Sequence, residues 1–226
     1  MKSPATRFRQ KRRITAIQLE RPAGLRRARV GCDGSLGDPR QVFDPKQMPR
    51  IVKAKAFRSR KTVTIARRLL GKFLVRSTAR GSVAAMITEV EAYDGEHDRA
   101  CHARNGRTAR NAVMYAPGGI WYVYLCYGVH ELLNLVTGPR GYPAAVLIRG
   151  IDGASGPGRL TRVLGIGRRL NGAACAQESG LWIEDRGVRV PRRAITATPR
   201  IGVDYAGPVW ARKPWRYVLT CPQAPG

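Results

Sequence analysis

Chemistry is most concentrated in this chain where two glutamates stand two residues apart and a tyrosine follows at the same interval. Glu89, Glu91 and Tyr93 lie in the run ITEVEAYD, and Asp98 and His102 come one short segment later. Residues at i, i+2 and i+4 of a strand share one face, so two carboxyls and a phenol would stand side by side. Like charges that close raise the pKa of one carboxyl, which suits it to act as a general base. The bland alternative is an exposed strand face neutralised by arginine. Further along, the run IWYVYLCYG alternates. Trp121 and Val123 fall on one face, Tyr122, Tyr124 and Cys126 on the other, and Tyr127 meets Gly128 at a turn. Core packing explains Trp121 and Val123. Tyrosines among arginines, one at a Tyr-Gly corner, point instead to stacking on bases or wedging into a duplex.

The elements that position these residues belong to a chain of 226 residues, enough for one domain or one domain with a tail. Hydrophobic residues make up 43%, which supports a packed core. Lys and Arg number 41 against 15 Asp and Glu, a formal net charge of +26. Such self-repulsion calls for a polyanionic partner, and nucleic acid is the simplest, although an arginine-rich GC-biased genome accounts for part of the excess. No apolar run approaches the roughly 18 residues of a membrane span. The five cysteines are scattered, odd in number and never in a CxxC pair, so neither a disulfide framework nor a zinc site is indicated. His97 and His102 do not suggest a metal either. No cofactor is expected. A reduced, intracellular monomer is the default, in the cytoplasm with the nucleoid if the cell is bacterial and in the nucleus if it is eukaryotic.

Residues 1 to 47 form a basic extension with runs such as Arg9-Gln10-Lys11-Arg12-Arg13 and no sustained apolar period. It reads as poorly ordered: a DNA-tethering arm, a targeting segment, or a product of a start assigned upstream of Met48. The domain proper is expected over 48–226. Thr62 to Leu70 has helical spacing and stops at Gly71, and Phe73–Val75 and Val83–Ile87 read as paired strands around Ala79-Arg80-Gly81. Strand character continues to Tyr93, and turns occupy Asp94 to Asn111. Ile120–Tyr127 and Ala144–Arg149 are further strands, and a helix opens at Gly156-Pro157-Gly158. Short strands are expected across Arg200–Leu219. Strands and short helices mix without regular alternation, so the fold class is α+β: one domain with a curved, mainly antiparallel sheet surrounded by short helices.

The blocks TEVEAYDGEHDRACHA, GRTARNAVMY, GGIWYVYLCYGVHELLNLV and AVLIRG, followed by GPGRLTRVLGI and RIGVDYAG…WARKPWRYV, resemble the 3-methyladenine (alkyladenine) DNA glycosylase family. The resemblance covers roughly Arg58 to Leu219. It implies a monofunctional glycosylase of base excision repair. By matched position, Glu91 is the general base that activates water, and Arg149 helps to hold that water and the substrate backbone. Tyr93, His102 and Tyr124 enclose the extruded base, whose edge meets the His102 N–H. Tyr127 wedges into the vacated place in the duplex. Asn134 disfavours guanine by clashing with its exocyclic amine, and Val203 supplies a carbonyl near the water. The implied partner is double-stranded DNA carrying damaged purines. Two departures stand out: only Gly150 to Ser155 follows the Leu-Ile-Arg block where a longer insertion is expected, and Cys101 precedes His102 where Ser or Ala is usual.

Chemistry agrees with those roles. A stacked base must be flipped out before its glycosidic bond can be attacked. Cleavage then builds oxocarbenium-like charge that a nearby carboxylate stabilises. No lysine lies in these blocks, which disfavours a Schiff-base, strand-cleaving route. The competing readings are a non-catalytic basic nucleic-acid-binding protein in which Glu91 only positions a loop, and a hydrolase of free nucleosides or sugars.

Overall fold

The computed structural model describes residues 48–220. The extension expected over residues 1–47 lies outside the described residues. Strand β1 (Arg50–Ile51) leads to helix α1 (Thr62–Leu69), whose Ile65, Ala66 and Leu69 are buried. The hairpin β2 (Phe73–Thr78) and β3 (Gly81–Asp94) follows, then β4 (Trp121–Cys126), β5 (His130–Thr137), β6 (Ala144–Ile151) and β7 (Ala154–Ser155). Helix α2 (Pro157–Val163) opens with Pro157 in its first turn, where a missing N–H costs nothing. Strand β8 (Leu181–Asp185), strand β9 (Ile195–Thr198), helix α3 (Gly207–Ala211) and strand β10 (Arg216–Leu219) complete the chain.

The strands form one antiparallel sheet in the order β1-β8-β2-β3-β6-β5-β4, with β10 joined to β3 and β9, and β7 to β6. Strand β3 is its spine. Its first half pairs with β2, and its second half pairs with β6 on one side and β10 on the other. Alternation sorts the side chains cleanly. Val90, Ala92, Trp121, Val123, Leu133, Leu135, Val146 and Ile148 point to one face and join residues of α1 and α2 in the main core. The opposite face carries Tyr122, Val136 and Ala145, over which Cys101, Ala103 and Met114 pack from the loops. The expected α+β fold is what the chain adopts.

Several expectations needed correction. Strands β5 and β8 were not foreseen. In β5, Leu132, Leu133, Leu135 and Val136 are all buried, so the period-2 signal is erased. Short strands are expected across Arg200–Leu219, yet only β10 forms there. A turn at Asp204–Ala206 runs into α3 because Gly207 takes a φ of 79° and Pro208 starts the helix. The short stretch after Arg149 folds as a tight hairpin, with Gly150 opposite Ser155 and Ile151 opposite Ala154.

Candidate active site

Register alone assembles the site. Arg216 of β10 lies opposite Glu91 of β3, Glu91 opposite Leu147 of β6, Leu147 opposite Asn134 of β5, and Asn134 opposite Tyr122 of β4. Cross-strand partners share a face, so these residues form one row across five strands. Tyr93 and Arg149 stand two residues along their strands from Glu91 and Leu147 and therefore face the same way. A bulge interrupts β3–β6 pairing between Ile87 and Val90, with Gly150 opposite Glu89. A Cβ at Gly150 would come within 3.0 Å of the Glu89 Cβ, so glycine permits the close approach.

Glu91 is fully buried. Its Oε1 accepts the Ile201 N–H at 2.8 Å, and its Oε2 accepts the Tyr93 hydroxyl at 2.8 Å. The Arg149 guanidinium stands 3.5 Å from Oε1. Burial pushes the carboxyl above its ordinary value, against the pull of Arg149, Ile201 and Tyr93 in the other direction; Glu89 adds only the smallest contribution. The like charge of Glu89, expected from its spacing, therefore acts in the raising direction but as a minor cause. Glu89 is itself neutralised: its Oε1 accepts from Arg149 Nε at 2.9 Å and Arg216 Nε at 2.6 Å. Arg216 also reaches the Thr198 hydroxyl at 3.0 Å. This ladder fixes the plane of the Arg149 guanidinium beside Glu91.

A second charged unit lies beneath Tyr93. The side chains of Arg200 and Asp98 are both fully buried and form a bidentate pair. Asp98 also accepts the N–H groups of Asp94 and Ala100, while Arg200 donates to Ala92 O and Trp210 O. The Arg200 guanidinium sits 4.8 Å from the Tyr93 ring centre and 5.1 Å from that of Trp215. Because Ile201 follows Arg200 directly, this pair anchors the backbone N–H that holds Glu91. Sequence spacing gave no warning of Arg200, Ile201 or Arg216, which reach the site from more than a hundred residues away.

The aromatic residues gather on the same face. His102 and Tyr124 rings are 4.6 Å apart, edge to face, and Tyr124 lies 5.2 Å from Tyr122. Tyr93 packs on the same cluster, though among the described residues it forms no ring pair with His102 or Tyr124. Burial lowers the His102 imidazole to about 4, with Arg110 and Arg104 adding to the effect, so it is neutral at pH 7. Its Nδ1 lies 3.1 Å from the Tyr122 hydroxyl. The backbone N–H of His102 meets no acceptor among the described residues. Burial raises the Tyr93 phenol well above its usual value, helped by Glu91, so it remains a hydrogen-bond donor.

Asn134 is buried, and its side-chain amide donates to Tyr122 O at 3.2 Å. Val203 is buried beside Ala100, and its carbonyl accepts the Ala206 N–H. Tyr127 is the one site residue that projects outward, 92% exposed at the tip of the β4–β5 hairpin. Its φ of 49° is the only positive value for a non-glycine among the described residues, and Gly128 follows at 71°. A turn with two left-handed residues favours Asn-Gly, so a tyrosine there is strained, as residues at functional sites often are. The described residues hold no cluster of three or more His, Cys, Asp or Glu placed to bind a metal. No helix among them is long and apolar enough to cross a membrane.

Residues 56–222 match the methylpurine-DNA glycosylase (MPG) family. A protein of Methanocella arvoryzae is 49% identical over 181 residues, covering 71% of this chain and 88% of its own length. One from Anaeromyxobacter dehalogenans is 48% identical over 171 residues, covering 73% and 81%. One from Streptomyces avermitilis is 41% identical over 182 residues, covering 71% and 84%. All three are provisionally named 3-methyladenine DNA glycosylases. A buried carboxyl held by a phenol, a backbone N–H and a guanidinium thus sits in a chain that belongs to the methylpurine-DNA glycosylase family.

Proposed function

We propose that this DNA glycosylase hydrolyses the N-glycosidic bond of flipped-out alkylated or deaminated purines, of the 3-methyladenine and hypoxanthine class, leaving an abasic site in double-stranded DNA. The observation that carries this reading is Glu91, a fully buried carboxyl held by the Tyr93 hydroxyl, the Ile201 N–H and the Arg149 guanidinium, whose proton affinity burial raises above that of an ordinary carboxylate. Its fixed partners hold one orientation of the group, so a water on its free lone pairs is aimed at a single point. The water's proton passes to Glu91, its oxygen bonds to C1′ of the sugar, and the C1′–N bond electrons leave with the base. Carboxylate charge stabilises the oxocarbenium-like sugar on the way. A purine alkylated to a cation already carries the charge that lets it depart. Arg149, on the same face, reaches the water and the substrate backbone.

Tyr93 and the His102–Tyr124 pair, gathered on one face, suit a flat base stacked between them. The unpartnered His102 N–H suits hydrogen bonding to the base edge. Buried Asn134 suits rejection of guanine's amine, and the Val203 carbonyl a second contact to the water. Exposed Tyr127 on its strained corner suits a wedge that replaces the extruded nucleotide. The bacterial and archaeal sources of the relatives favour the cytoplasm and its nucleoid over a nucleus.

The test is Glu91→Gln, assayed with alkali on duplexes carrying 3-methyladenine or hypoxanthine. Excision should vanish while binding to an abasic-site duplex persists. Undiminished excision would overturn the assignment of Glu91.

A further inference from the structure

Away from the Glu91 face, the β2–β3 turn and the segment after α2 enclose a cleft of about 470 Å³ lined by Arg76, Thr78, Ala79, Arg80, Gly165 and Arg169. Three guanidinium groups share it, and no carboxylate lines it. Among the described residues none of the three takes part in a salt bridge. Arg76 is the unusual member, only 7% exposed. Its NH1 group donates to Ser77 O and Gly180 O, whereas its buried Nε–H meets no acceptor among the described residues. Buried charges are ordinarily paired, because removing a guanidinium from water without a counterion is costly. Here two more cations stand beside it. An anion would satisfy the arrangement.

We propose that this cleft is a phosphate-binding site, separate from the centre at Glu91. Guanidinium forks match the tetrahedral oxygens of phosphate bidentately, and several of them around one dianion or diester offset their own repulsion. Arg76 lies opposite Val83 on β3, so the cleft is about 26 Å from Glu91 along that strand. Because the cleft lies off the Glu91 face, only a duplex that continues well past the lesion can bring a backbone phosphate to it. Free phosphate has the same chemistry, and the experiment separates the two sources.

The experiment uses the full chain and leaves the buried Arg76 intact. Arg80→Gln with Arg169→Gln changes two exposed side chains, and Arg192→Gln with Arg193→Gln makes the same charge change outside the cleft. Affinity for an abasic-site duplex is measured against salt concentration with a 10-base-pair and a 30-base-pair duplex, alongside single-turnover excision from the short one. Loss of two phosphate contacts should make log Kobs against log [salt] shallower by about 2 on the long duplex beyond the control pair's effect. The short duplex and its excision rate should be unchanged. In the second arm, thermal midpoints are compared in sodium phosphate and in sodium chloride of equal ionic strength. Stabilisation by phosphate that the cleft variant alone loses, with DNA slopes unaffected, assigns the site to a free phosphate. Matching slopes for the cleft and control variants together with no phosphate-specific stabilisation overturn the proposal. Excision by Glu91 is read separately, so failure of the cleft does not touch the catalytic assignment.

Discussion

Replacing Asp98 by Asn strikes the point on which the site's geometry depends. The substitution keeps the side-chain shape and one acceptor oxygen but removes the charge opposite Arg200, and both side chains are fully buried. Removing one partner of a buried pair leaves the other uncompensated and typically costs about 3–5 kcal/mol. For a protein of this size each kcal/mol moves the thermal midpoint by about 2–4 °C, so a fall of about 6–20 °C is expected. The two partners are not equivalent. Without Arg200, Asp98 still accepts the Asp94 and Ala100 N–H groups; without Asp98, Arg200 keeps the neutral carbonyls of Ala92 and Trp210 and the Tyr93 and Trp215 rings but no counter-charge paired with it. Arg200→Met should therefore cost less than Asp98→Asn, and the double variant less than the two singles combined. Urea or thermal unfolding followed by circular dichroism at pH 7 measures all four forms. An Asp98→Asn loss within about 1 kcal/mol of zero, or strict additivity, would refute the reasoning.

The other predictions concern Glu91, Glu89 and Tyr127. Glu91 has a raised folded-state pKa, so single-turnover excision should fall as pH drops through a value above the ordinary carboxylate range of about 4.3. The same shift means its contribution to stability is full below the unfolded pKa and is lost as pH rises through the folded one; Glu91→Gln should flatten that dependence and be neutral or stabilising at pH 7. Glu89→Gln removes the charge that Arg149 and Arg216 share, so excision should slow roughly 10- to 100-fold while abasic-duplex affinity changes little, as expected when a guanidinium loses its orientation. Equal losses in rate and affinity would count against that positioning role. Tyr127→Asn should raise stability by up to about 1 kcal/mol by relieving the left-handed corner, yet slow excision from paired DNA more than from single strands. A proportional loss on both substrates would exclude a wedge.

Local sequence determined a good deal here. Alternation in β3 and β4 placed Glu89, Glu91 and Tyr93 on one face and separated Tyr122 and Tyr124 from Trp121 and Val123, because the period of a strand is a property of the backbone alone. The helix at Thr62, the hairpin around Ala79–Gly81 and the Tyr127-Gly128 corner were legible for the same local reasons. β5 was not, since a strand buried on both faces carries no alternation, and neither was the helical turn at Gly207-Pro208 within a stretch expected to be strands. Only the tertiary structure brought Arg200, Ile201 and Arg216 to Glu91. Their contacts are made by register between β3, β10 and the preceding loop, and no spacing within a segment encodes a partner a hundred residues away. The proton affinity of Glu91 was decided the same way: spacing pointed to its neighbour Glu89, but burial among distant side chains contributes most, and burial exists only once the chain has folded.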